Sequence, residues 1–197
     1  DPVMSRGLGD VYKRQRLPLS VSFGPVQAGG SCGGSLQSPG STLLVVGDGP
    51  EKARLEALAG PTVTLLGRQS QQQVEELMAR CRAFVYAGLE DFGIAPVEAM
   101  ASGAPVIGLG RGGLLDTVRC AAAGIPEPTG VLFPEQSVES LVQAVEWFEQ
   151  ERIWRSLDAE AIRAWAERFR PEAFAARFES SLRTAWSAHQ RGCAVVA

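Results

Sequence analysis

From Thr42 onward, short apolar runs rich in β-branched residues alternate with longer stretches of helical period. Leu43 to Val46 predicts a strand, broken by GDGP at Gly47 to Pro50. Pro50 opens a helix over Glu51 to Leu58, near the first-turn position where proline is tolerated. Val63 to Leu66 predicts a second strand. Ser70 to Cys81 predicts a helix, with Ser70 and Gln73 at the spacing of a capping box. Ala83 to Ala87 is a third strand, Pro96 to Ser102 a helix stopped by Gly103, and Pro105 to Gly108 a fourth strand. A short helix over Leu114 to Ala122 and a fifth strand over Gly130 to Phe133 follow. Val138 to Gln150 places Val138, Leu141, Val142, Val145 and Phe148 on one helical stripe, and two or three further helices complete the chain. Strands this apolar, separated by helices, predict an α/β fold: a single doubly wound parallel sheet with helices on both faces and a helical C-terminal extension.

Residues 1–41 break the pattern. Asp1 to Gln15 has no sustained apolar period and resembles a cloning scar or sequencing read-through. Arg16 to Ser41 is rich in Gly, Ser, Pro and Gln, the composition of a linker. Only Leu17 to Phe23 there has strand character, weakened by Pro18. The expected organisation is therefore a disordered or artefactual head over 1–41, one domain over 42–190 and a tail over 191–197.

Composition narrows the function. Nineteen basic and 22 acidic residues give a net charge of -3, which excludes nucleic-acid binding driven by gross charge. The four cysteines, Cys32, Cys81, Cys120 and Cys193, are scattered, and His189 is the one histidine, so no metal site is expected. Reduced thiols fit a cytoplasmic protein. No apolar run approaches the ~20 residues of a membrane span, which leaves peripheral association with a membrane surface open.

In an open parallel sheet, ligands bind beyond the carboxyl ends of the strands. Three glycine-bearing segments follow strands directly: GDGP, GLEDFGIAP and GLGRGG. Their glycines allow close backbone approach, and a following helix N-terminus suits a phosphate. Each also reads as a plain turn. The central segment, GLEDFGIAPVEAMASGAPVIG at Gly88 to Gly108, carries Glu90 and Glu98 with seven residues between them. Glu98 falls about two residues inside a helix that begins near Pro96. As alternatives to binding, Glu98 is a helix-start carboxylate worth ~0.3–1 kcal/mol, and Glu90 with Asp91 forms a solvated acidic loop.

This segment, EDFGIAPVEAMASGAPV as it stands here, resembles the donor-binding signature of retaining, GT-B-fold glycosyltransferases close to glycosyltransferase family 4. LLVVGDGPEKARLEAL, VTLLGRQSQQQVEELMARCRAFVYAG and PTGVLFPEQSVESLVQAV are similar to neighbouring segments of that family, so the resemblance covers roughly 42–190. Its tone is that of bacterial, mannosyltransferase-like members. The resemblance implies a Rossmann-like donor domain, half of a GT-B fold, that binds a nucleotide sugar such as GDP-mannose or a UDP-hexose. It implies that Glu98 accepts hydrogen bonds from the ribose hydroxyls and that the catalytic Glu90 holds the transferred hexose. The backbone at Phe92, Gly93 and Ile94 would bind the diphosphate, Arg68 would lie near the nucleobase, and Gly47 and Asp48 would line the same crevice. No cofactor or metal is implied.

Two departures bear on activity. The family's early G-R-…-K loop, whose cations clamp the diphosphate, has no evident counterpart upstream of Leu43, and the family's N-terminal acceptor-binding domain is expected to be missing. The chain is therefore expected to be the nucleotide-sugar-binding half of a hexosyltransferase acting on a glycan or lipid acceptor, inactive alone. The competing reading is a non-catalytic nucleotide-binding or interaction module that needs a separate acceptor-domain partner. A sugar-nucleotide epimerase ranks below both, because that family lacks the tight signature. Phe174, Phe178, Leu182 and Trp186 form a stripe on the last helix; core is its commoner meaning, and a sticky face left by the absent domain is the other.

Overall fold

The computed structural model describes residues 20–24 and 42–193. Six strands form one sheet: β1 (Ser20–Gly24), β2 (Thr42–Val46), β3 (Val63–Gly67), β4 (Ala83–Tyr86), β5 (Val106–Leu109) and β6 (Gly130–Phe133), in the order β3-β2-β1-β4-β5-β6. Among the described residues the helices are α1 (Lys52–Leu58), α2 (Gln71–Arg80), α3 (Ile94–Ala101), α4 (Leu114–Thr117), α5 (Val138–Gln150), α6 (Ala159–Ala166) and α7 (Pro171–Cys193). Short 3-10 turns occur at Ala121–Ala123, Ile153–Arg155 and Glu167–Phe169.

Strand alternation builds the two-sided core. Phe84 and Tyr86 of β4 point to one face and Ala83 and Val85 to the other, and all four are buried. The first face is closed by Met78 of α2, Ala99 and Met100 of α3, Leu114 of α4, and Ile162 and Ala166 of α6. The second is closed by Ala144 and Phe148 of α5 against Ile107, Leu109, Val131 and Phe133. Each large buried side chain contributes about 1.5–3 kcal/mol by leaving water. The doubly wound α/β arrangement is thus as expected.

Strand β1 departs from the all-parallel expectation. It runs antiparallel to both β2 and β4, while β2–β3, β4–β5 and β5–β6 are parallel. Gly24 lies directly opposite Thr42, so the chain leaves β1 and enters β2 at the same edge. A parallel pair would need a crossover, usually helical, and the Gly- and Ser-rich 25–41 has no helical period. Strand β1 falls at the one stretch of 1–41 with strand-like sequence; the rest of 1–41 lies outside the described residues.

Local signals set several boundaries. Helix α2 starts where Ser70 Oγ accepts from the Gln73 amide while Gln73 returns to the Ser70 amide, completing the capping box. Helix α5 has the bounds its stripe predicts, capped by Ser137. Helix α4 is shorter than predicted, ending at Thr117 before Val118 turns extended. Helix α7 continues to Cys193, past the expected start of the tail. Its stripe is not core: Phe174, Phe178, Leu182 and Trp186 are 57–63% exposed, and the rings of Phe174 and Phe178 stack on each other. No helix among the described residues is long and apolar enough to cross a membrane.

Candidate functional site

The parallel strands deliver their following loops to one edge. Strand β1, entering at that edge through Ser20, separates β2 from β4. The GDGP loop and the Glu90 loop therefore stand two strand spacings apart, about 10 Å.

Glu90 is fixed at both ends. The Tyr86 hydroxyl, on the last residue of β4, donates to Glu90 Oε1 at 2.7 Å. The Gly113 amide donates to the Glu90 carbonyl at 2.8 Å. This second contact requires two glycines. A methyl at Gly112 would overlap the Glu90 carbonyl oxygen, and one at Gly113 would overlap the backbone of Asp91 and Phe92. The GRGG segment is thus the floor on which the Glu90 loop rests. Tyr86 is buried and Glu90 half-buried, so the carboxylate is oriented rather than freely solvated.

Gly93 turns the loop into α3. Its φ of 84° lies in the left-handed region, and a Cβ there would come 2.9 Å from Leu114 Cδ1. The helix starts at Ile94, two residues before the predicted Pro96, and Pro96 occupies a first-turn position where an N–H has no intrahelical partner. Val97 makes the first intrahelical bond, to the Gly93 carbonyl, so the amides ahead of it are unspent within the helix. Of the three predicted diphosphate contacts, Phe92 and Ile94 are exposed and Gly93 is buried. The Phe92 ring also meets the edge of Phe169 at 5.8 Å.

Glu98 consequently lies in the second turn of α3, exposed on its surface. Its carboxyl is pushed above the ordinary value of 4.5, first by partial loss of solvent and then by the charge of Glu75 on α2. The helix dipole acts within the first turn, which ends before Glu98. The helix-start reading of Glu98 therefore fails.

The outer wall gathers Gly47, Asp48 and Arg68. The Gly47 amide donates to the Gly67 carbonyl at 2.9 Å, tying the ends of β2 and β3 together. Asp48 Oδ1 accepts from the Gly49 amide and lies 3.9 Å from Lys52 Nζ. The Lys52 ammonium lies beside the bare Cα of Gly67, next to the exposed Arg68. Sequence reasoning missed Lys52, although its i,i+4 spacing from Asp48 was a usable signal, and missed Tyr86, which stands four residues before Glu90. Among the described residues, no group of three His, Cys, Asp or Glu could hold a metal ion.

Residues 35–169 match the family model described as Glycosyl transferases group 1. The chain is 38% identical over 93 residues to the GDP-mannose-dependent alpha-mannosyltransferase of Mycobacterium tuberculosis, covering 47% of this chain and 23% of that protein. It is 30% identical over 148 residues to the N-acetyl-alpha-D-glucosaminyl L-malate synthase of Bacillus anthracis, covering 70% and 36%. Sucrose-phosphate synthase from Thermosynechococcus elongatus is structurally similar, with a TM-score of 0.57, 29% identity and coverage of 74% and 38%. The Anabaena HepE structure in complex with UDP-glucose shares the fold at a TM-score of 0.54, with 23% identity and coverage of 72% and 40%. The chain thus spans between 23% and 40% of the length of these relatives.

Proposed function

Because the chain belongs to the glycosyl transferases group 1 family and has the GT-B type of α/β domain, we propose that it is the nucleotide-sugar-binding domain of a retaining hexosyltransferase. One observation carries the reading: the Glu90 carboxylate, oriented by Tyr86, stands one short loop ahead of the exposed start of α3. Glu98 accepts hydrogen bonds from the ribose hydroxyls, since one carboxylate has the acceptor sites for a vicinal diol. Glu90 holds hydroxyls of the transferred hexose. The diphosphate lies at the N-terminal end of α3, against the backbone at Phe92 to Ile94, where partial positive charge opposes the charge that builds as the sugar–phosphate bond breaks. Gly47, Asp48, Lys52 and Arg68 take the nucleoside end.

GDP-mannose and a UDP-hexose are the leading donors. The Mycobacterium tuberculosis relative is named for the first, and the Anabaena structure holds UDP-glucose. The acceptor is a glycan or a lipid. No resident cofactor or metal enters this reading.

Calorimetric titration of GDP, UDP, ADP and GDP-mannose against the chain and against Glu98→Ala tests it. Selective binding that the variant loses supports a donor site. No binding at about millimolar ligand, near −4 kcal/mol, would sink it.

A further inference from the structure

The C-terminal helical segment is wired to the Glu90 loop by a continuous set of contacts. The Trp165 indole Nε1, on α6, donates to the Thr117 carbonyl at 2.7 Å. The Thr117 hydroxyl donates to the Gly113 carbonyl at 3.0 Å, and the Gly113 amide donates to the Glu90 carbonyl at 2.8 Å. In parallel, Trp165 meets Phe169 edge-on at 6.1 Å, and Phe169 meets Phe92 edge-on at 5.8 Å. Both routes start at Trp165 and end on the same loop, at residues 90 and 92.

Trp165 is itself held. Arg119 and Arg168 have their guanidinium carbons 4.8 Å and 4.1 Å from the indole centroid. Arg119 is tethered in turn, its guanidinium to Glu127 and the Pro126 carbonyl and its amide to Thr129 Oγ1. Thr117 and Thr129 are fully buried, so the hydroxyl that relays to Gly113 sits away from water. A buried hydroxyl with one fixed acceptor leaves little freedom to the loop above it.

We propose that Trp165, Thr117 and Phe169 are positioning residues for the Glu90 loop, which set how well the domain distinguishes a nucleotide sugar from the bare nucleotide. The inference rests on the donor-site reading, in which Glu90 serves the sugar and Glu98 the ribose. Contacts that merely attached α6 to the sheet would, when weakened, lower stability and affect both ligands alike. Contacts that position Glu90 change the sugar's share of the binding.

The test compares GDP-mannose with GDP, and UDP-glucose with UDP, by calorimetry on the full chain, using whichever pair the wild type binds. The variants are Thr117→Val, which keeps shape and removes the hydroxyl; Thr117→Ser, which restores it; and Trp165→Phe, which keeps a ring and removes the N–H. Thr117→Val and Trp165→Phe are expected to lower the sugar-to-bare-nucleotide affinity ratio about 3- to 10-fold, the worth of one hydrogen bond; any loss at the diphosphate beside Phe92 is common to both ligands and cancels in the ratio. Thr117→Ser is expected to return the ratio to the wild-type value. An unchanged ratio in both weakened variants overturns the proposal and leaves the donor site standing. Wild-type protein that binds neither nucleotide nor nucleotide sugar overturns the donor site itself. If Thr117→Val does not fold, Trp165→Phe carries the test with hydrogen exchange: faster exchange of the Gly113 amide with β4 to β6 unaffected supports positioning, and unchanged exchange overturns it.

Discussion

The Tyr86 hydroxyl and the Glu90 carboxylate meet at 2.7 Å at the carboxyl end of β4. A buried tyrosine at the last strand position thereby fixes the first acid of the signature, four residues later. Removing the hydroxyl with Tyr86→Phe leaves the packed ring in place and frees the carboxylate. A hydrogen bond to a charged group is worth about 1.5–3 kcal/mol. The expected outcome is a nucleotide-sugar affinity lower by about tenfold or more, with bare-nucleotide affinity retained, read by calorimetric titration.

Gly113→Ala is expected to damage the site through the backbone. The added methyl overlaps the main chain of Asp91 and Phe92, which is not the yielding end of a flexible side chain. Overpacking of this kind costs about 1–3 kcal/mol, and the loop must lift, so donor binding falls with stability. Gly124→Ala is the control: its φ of 64° adds strain, but nothing lies within 4 Å of the new methyl. It is expected to cost about 1 kcal/mol and to leave binding intact. Thermal unfolding with nucleotide titration separates the two.

Glu98 makes stability fall as pH rises. Its folded carboxyl binds a proton more readily than the ordinary value of 4.5 allows. Between that value and the raised one, the folded state therefore holds more protons than the unfolded state, and stability declines with increasing pH. Glu98→Gln is expected to flatten this decline and to raise the melting temperature at neutral pH. Glu75→Gln removes one of the two causes and is expected to lower the Glu98 titration point. Donor affinity runs the other way: it strengthens as pH rises through the Glu98 titration, because the ionised form accepts both ribose hydroxyls. Melting curves and titrations from about pH 4 to pH 7 check both signs.

The stripe on α7 is expected to behave as surface. Changing Phe178 and Trp186 together to Gln should move stability by about 0.5 kcal/mol per site or less, while reducing binding of a hydrophobic dye. Core residues would lose about 3–5 kcal/mol each. Dye fluorescence and melting temperature, measured on the same samples, decide between these outcomes.

What the sequence reveals follows how local the cause is. The Ser70 and Gln73 capping box and the α5 stripe depend on neighbours in the chain, and both are seen at the expected residues. The alternation from Thr42 onward identifies the doubly wound core because each strand must bury both faces. Pro96 has the character of a first helical residue, but Gly93, in a left-handed conformation fitted against Leu114, starts α3 two residues earlier, at Ile94. Helix α4 ends early where Trp165, distant in sequence, takes the Thr117 carbonyl. The direction of β1 depends on what its connection can form. Spacing marks Glu90, Glu98 and the loop between them as candidates and leaves their solvated alternatives open; their roles are what the resemblance implies. The roles of Tyr86, Lys52, Gly112 and Gly113 were not legible, because each depends on which loops the sheet brings into contact.

The most direct test of the donor site is a thermodynamic cycle between Glu98 and the ribose hydroxyls. Calorimetry would compare the preferred nucleoside diphosphate with its 2′,3′-dideoxy analogue on wild type and on Glu98→Ala. The account predicts that wild type loses about tenfold or more on removal of the hydroxyls, the worth of hydrogen bonds to a charged acceptor, and that Glu98→Ala treats the two ligands alike. Equal losses in both proteins would contradict it.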